Sequence, residues 1–125
     1  MHDIIQKRIK SDIDRQPFFI SNIYESHLHI FKNIQAIIFN VARLTERVKG
    51  KPKFMTEDEV GNVADMIGIH LSAIRKFDDT DQMNCYTYEY LIDKLILYRE
   101  LSLENEYYEY VANIDKLLKY YCLIF

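Results

Sequence analysis

Between Pro17 and Gly50, side chains recur at alternating intervals of three and four residues: Ile20, Ile23, His27, Ile30, Ile34, Ile37, Val41, Leu44 and Val48, all apolar except His27. That spacing lays a stripe along one side of an α-helix, four heptads long. Pro17 is placed to open the helix, where its missing N–H costs nothing, and Gly50 and Pro52 are placed to end it. One amphipathic helix over about 17–48 is therefore expected. At 1.5 Å per residue it would reach about 48 Å. A compact chain of 125 residues spans only about 36 Å. Such a helix has to kink, form the spine of an elongated bundle, or project towards a second copy. Leu28 and Phe39 superpose on the side away from the stripe and offer a second contact there.

The rest of the chain reads the same way. With 3 Gly and 2 Pro, it lacks the residues that tight turns and β-hairpins draw on. A hydrophobic content of 49% argues against disorder. A short amphipathic helix is expected through Ile5, Ile9 and Ile13. Thr56-Glu57-Asp58-Glu59 has the form of a capping box, with acids at the positive end of a helix dipole. Apolar positions then follow at Val60, Val63, Ala64, Ile67, Leu71, Ile74 and Phe77. Asp78 to Asn84 reads as a polar loop. Tyr86 to Leu101 is apolar nearly all round, which suits a central helix. Ser102 is placed to cap a last helix with Tyr107, Val111, Ile114, Leu118 and Tyr121 facing inward. The fold class expected is all-α, a single domain over residues 1–125 built as a bundle of about five helices.

Within the second of these segments, Ala64, Gly68, Ile69 and Ile74 resemble the spacing of a helix-turn-helix DNA-binding unit over about residues 60–77. The resemblance implies a left-handed turn at Gly68 and a recognition helix from Leu71 to Phe77. His70, Ser72, Arg75 and Lys76 would then be the DNA-facing residues. The alternative is one unbroken helix from Glu57 to Phe77, on which Gly61, Ala64, Gly68 and Ser72 form a small-residue strip open to another helix.

The net charge of −3 conceals a division. Residues 1–53 carry a net +5 and residues 54–125 a net −8. Arg43, Arg47, Lys49, Lys51 and Lys53 form a basic patch suited to a phosphate backbone or an acidic partner. The plainer reading is a solvated helix end whose cations complement the dipole. Nine of the ten tyrosines lie at or beyond Tyr86. Tyr108, Tyr110 and Tyr120 fall partly off the inward face of the last helix, which nominates them as a partner surface.

Catalytic chemistry has no motif here. There is no Gly-rich phosphate loop, no GxSxG and no HExxH. His27 and His29 point apart on a helix, and Asp78-Asp79-Thr80-Asp81 lacks the ligand order of a calcium loop. No catalytic residue, metal site or cofactor is expected. Cys85 and Cys122 make no disulfide framework. No secretory signal or membrane span is written in the sequence, and a cytoplasmic location follows as the expectation. The leading functional reading is a non-enzymatic regulatory or inhibitory protein. It would bind a protein partner, or another macromolecule, through a helical, Tyr-rich or charged surface, as a homodimer. A helix-turn-helix regulator that binds nucleic acid stands second, and a small-molecule enzyme a distant third.

Overall fold

The computed structural model describes residues 3–15, 25–77 and 82–122. They form five helices: α1 (Asp3–Arg15), α2 (Glu25–Ala42), α3 (Glu57–Phe77), α4 (Gln82–Glu104) and α5 (Tyr108–Cys122). Between α2 and α3 lie a 3-10 turn (Arg43–Thr45) and two strands of two residues each, β1 (Arg47–Val48) and β2 (Lys51–Pro52), paired antiparallel. The all-α bundle implied by the composition is the fold.

One apolar cluster holds the helices together. Ile5 and Ile9 of α1, Ile37 and Val41 of α2, Val63 and Ile67 of α3, Leu91 and Leu95 of α4, and Ile114 and Leu117 of α5 all belong to it. Burial of side chains of this size contributes about 1.5–3 kcal/mol each. The seam, and not intrinsic helix propensity, is what sustains the helices. α4 touches each of the other four helices, as its all-round apolar surface requires. Among the described residues no helix is long and apolar enough to cross a membrane.

Three local expectations change. The helix expected over 17–48 ends at Ala42, and its first part, 17–24, lies outside the described residues. The Thr45 hydroxyl donates to the Ala42 carbonyl at 2.7 Å, and Glu46 turns extended with ψ 151°. Leu44 still reaches the core from the 3-10 turn, so the stripe keeps its anchor there without a longer helix. Val48, the stripe's last member, is 53% exposed.

The second change concerns Gly68. α3 runs unbroken from Glu57 to Phe77, as the alternative reading of this segment has it, without the turn that the helix-turn-helix resemblance implies. Among the described residues, Gly50 is the glycine with positive φ. Buried Val60, Val63, Ala64 and Ile67 before Gly68, and Ile74 after it, keep one helical period and hold the glycine in register. That packing outweighs the roughly 1 kcal/mol by which a helical glycine is disfavoured. The capping box forms as expected: Glu59 N–H donates to the Thr56 hydroxyl at 3.2 Å, and Thr56 N–H to Glu59 Oε1 at 3.0 Å.

The third is Ser102. It lies inside α4, fully buried, and donates to the Tyr98 carbonyl at 2.7 Å, so it does not cap α5. α4 ends instead on Glu106 at φ 61°, with Tyr107 N–H bonded back to the Ser102 carbonyl at 2.8 Å and Glu106 N–H to that of Leu103 at 3.1 Å. This is a Schellman closure with a glutamate where glycine is usual.

Candidate functional site

The basic patch of the sequence becomes a hairpin. Arg47 pairs with Pro52 and Val48 with Lys51, leaving Lys49 and Gly50 as a two-residue turn. Both turn residues have positive φ, 54° and 76°, the pattern of a type I′ turn. Gly50 adopts it freely. Lys49 does not, since a residue with a Cβ pays about 1–2 kcal/mol in the left-handed region, and asparagine would suit the position better. Lys49, Gly50 and Lys51 are all exposed. Beside them stand Val48 and Phe54, the latter 60% exposed.

α5 braces this hairpin from below. Arg47 Nε donates to the Tyr110 hydroxyl at 2.9 Å, and its Nη1 donates to the Gly50 carbonyl at 2.9 Å, which ties the turn to its own strand. The Arg47 guanidinium also lies 5.5 Å from the centre of the Tyr107 ring, a cation–π distance. Further along, fully buried Asn113 accepts from Met55 N–H at 2.8 Å. Its amide donates to the Leu44 and Lys53 carbonyls, each at 2.9 Å. Lys116 Nζ donates to the Met55 carbonyl at 2.7 Å. The segment from Leu44 to Met55 is thus held by α5 at both feet.

The five cations therefore divide. Arg47 is turned inward. Lys53 hydrogen-bonds Glu59 of the capping box, and that bond holds Lys53 above its ordinary range. Glu59 is lowered to about 2, first by Lys53 and then by the Thr56 N–H. Arg43 makes a loose pair with Glu46 at 3.8 Å. Lys49 and Lys51 have no ion-pair partner among the described residues. Arg43 and Arg47 do not lie on one helix end, because one sits in the 3-10 turn and the other in β1.

The tyrosines divide as well. Tyr108 and Tyr120 are exposed, at 56% and 40%, as expected of a partner surface. Tyr110 is buried, because its hydroxyl receives Arg47 and its ring packs against Tyr107, with centroids 5.4 Å apart. Burial pushes its phenol up, and the Arg47 hydrogen bond partly offsets the shift. Of the residues in the DNA-facing set, His70 Nδ1 meets Asn33 Oδ1 of α2 at 2.8 Å, while Ser72, Arg75 and Lys76 are exposed along α3. Asn113 escaped the sequence reading. Its signal was an amide three residues after Tyr110 and one before Ile114, on the side of α5 that the core occupies.

Compared with known proteins, the chain matches no family model, no curated protein and no solved structure.

Proposed function

We propose that this chain is a non-enzymatic interaction protein, regulatory or inhibitory in role. It binds an acidic protein partner through the Val48–Lys51 hairpin and the adjoining Phe54. The observation that carries the reading is the pairing of a braced base with cations that have no ion-pair partner among the described residues. Arg47 is spent on Tyr110, Tyr107 and Gly50, while Lys49 and Lys51 stay exposed beside two exposed apolar side chains. A surface that is ordered before its partner arrives loses less entropy on binding. The left-handed φ of Lys49 points the same way, since strained backbone clusters at ligand-binding and switch regions. Alternating cations and apolar groups fit a partner segment that offers both carboxylates and apolar side chains.

A protein partner is favoured over nucleic acid by the neighbourhood. Glu57 and Asp58 lie exposed at the start of α3, a few residues beyond the patch. They would repel a long run of phosphates, whereas a short acidic segment avoids them. The test is fluorescence anisotropy with a labelled amphipathic peptide rich in Glu and Leu, and with a mixed-sequence DNA duplex. The paired change Lys49→Glu with Lys51→Glu should weaken the peptide complex by about tenfold or more and leave the helical circular dichroism unchanged. Peptide binding that ignores the change, or binding of the duplex alone, refutes the proposal.

A further inference from the structure

α3 carries a face that the other described residues leave exposed. Asp65, Ile69, Ser72 and Lys76 follow one another at intervals of four, three and four, so they line one side of the helix. All four are exposed, Ile69 to 59%, with Met66 at 40% beside them. Gly68 lies along the same face. It makes no turn, and a Cβ built on it would meet nothing within 4 Å. A groove of about 760 Å³ opens there, running from Ala64 and Gly68 to Tyr88 of α4 and to Tyr120 and Tyr121 of α5. Tyr121, a wall of that groove, is only 3% exposed, and its hydroxyl has no hydrogen-bond partner among the described residues.

The order of the side chains names the occupant. Asp65 and Lys76 are about 16 Å apart along the axis, too far to pair with each other, and neither joins an ion pair among the described residues. When the helix is reversed against itself, Asp65 falls opposite Lys76 and Ile69 falls opposite Ser72. Both pairs share one midpoint, between His70 and Leu71. The acid, the large apolar group, the small group and the base thus form a self-complementary series. That is the requirement of an isologous interface, in which each contact occurs twice. We infer that a second copy of this chain docks on the exposed face of α3, antiparallel to it, about a two-fold axis that crosses between His70 and Leu71. The small residues Gly68, Ser72 and Ala73 let the two backbones approach, and Ile69 of each copy covers Ser72 of the other. The hairpin takes no part in this contact, so the inference stands or falls independently of the proposed function.

Light scattering on a size-exclusion column, over a range of concentrations, reads the assembly directly. The full chain should approach about 30 kDa, twice its 15.0 kDa. Asp65→Lys alone and Lys76→Asp alone each place like charges together twice, and each should raise the dissociation constant by about tenfold. An equimolar mixture of these two variants should recover the dimer as a heterodimer, because each then meets its opposite charge at both contacts. The double variant should recover it as well. Ile69→Ser, which leaves every charge in place, should weaken the dimer on its own. A mass that stays near 15.0 kDa at every concentration overturns the inference. So does a dimer that ignores the swaps, or a mixture of the two variants that stays monomeric.

Discussion

Arg47 and Tyr110 are 63 residues apart in the chain and 2.9 Å apart in space, with the arginine Nε donating to the phenol oxygen. This bond fastens a two-residue hairpin to the last helix and turns one cation of a basic patch into its support. Tyr110→Phe keeps the ring and removes the acceptor. It should destabilise the fold by about 1–2 kcal/mol. A double-mutant cycle with Arg47→Met in chemical denaturation should return a coupling of about 1 kcal/mol. Coupling indistinguishable from zero would mean the bond braces nothing.

Asn113 supports the other foot of the same segment. One buried amide there satisfies Met55 N–H and the carbonyls of Leu44 and Lys53. Asn113→Asp preserves the shape but replaces the two donors with an acceptor facing two carbonyls. A loss of about 3–5 kcal/mol is expected, at least as large as that of Asn113→Ala, with urea unfolding as the measurement. An aspartate variant as stable as the wild type contradicts the assignment.

Stability and binding should part at Lys49. Asparagine tolerates the left-handed φ of 54° better than lysine does. Lys49→Asn should raise stability by about 0.5–1 kcal/mol and weaken the acidic-peptide complex by about threefold to tenfold. Thermal unfolding and peptide anisotropy on one preparation give both numbers. A variant that loses stability and keeps its affinity would deny the lysine a binding role.

The Lys53–Glu59 pair makes the fold sensitive to acid in a defined direction. The Glu59 carboxyl is lowered to about 2 in the folded chain, while an unfolded glutamate titrates near about 4.3. The unfolded state therefore binds more protons between those values. The pair's contribution is fully present above about pH 4.3 and is lost as the pH falls towards 2. Carboxyl chemical shifts followed by NMR should show Glu59 titrating near 2, and Lys53→Met should move that midpoint upward. A midpoint near the ordinary glutamate value in the wild type would exclude the pairing.

How much of this could be read beforehand depends on the range of the interactions. The Thr56–Glu59 capping box is closed by residues three apart, and it was legible as written. The helical period of α3 was legible too. Its continuity through Gly68 stood as one of two readings, because local cost favours a break and only the buried side chains on both sides decide against it. The end of α2 at Ala42 was hidden for a related reason. The stripe continues to Val48 in sequence, yet Leu44 makes its core contact from a 3-10 turn, and the Leu44 carbonyl goes to Asn113. Tyr110 was misplaced because its partner, Arg47, comes from the far side of the chain. Exposed cations at Lys49 and Lys51 were foreseen. The scaffold that presents them was not, since the bonds that fix it to α5 join segments more than fifty residues apart.

The central claim is that the hairpin, held by α5, is the surface that receives an acidic partner. Amide chemical-shift mapping with the Glu- and Leu-rich peptide, titrated into the isotope-labelled chain of 125 residues, tests it most directly. Saturable shifts at Val48, Lys49, Gly50, Lys51 and Phe54, with α5 beneath them little changed, are the predicted result. Shifts confined to the exposed face of α3, or none at all on the hairpin at saturating peptide, would contradict it.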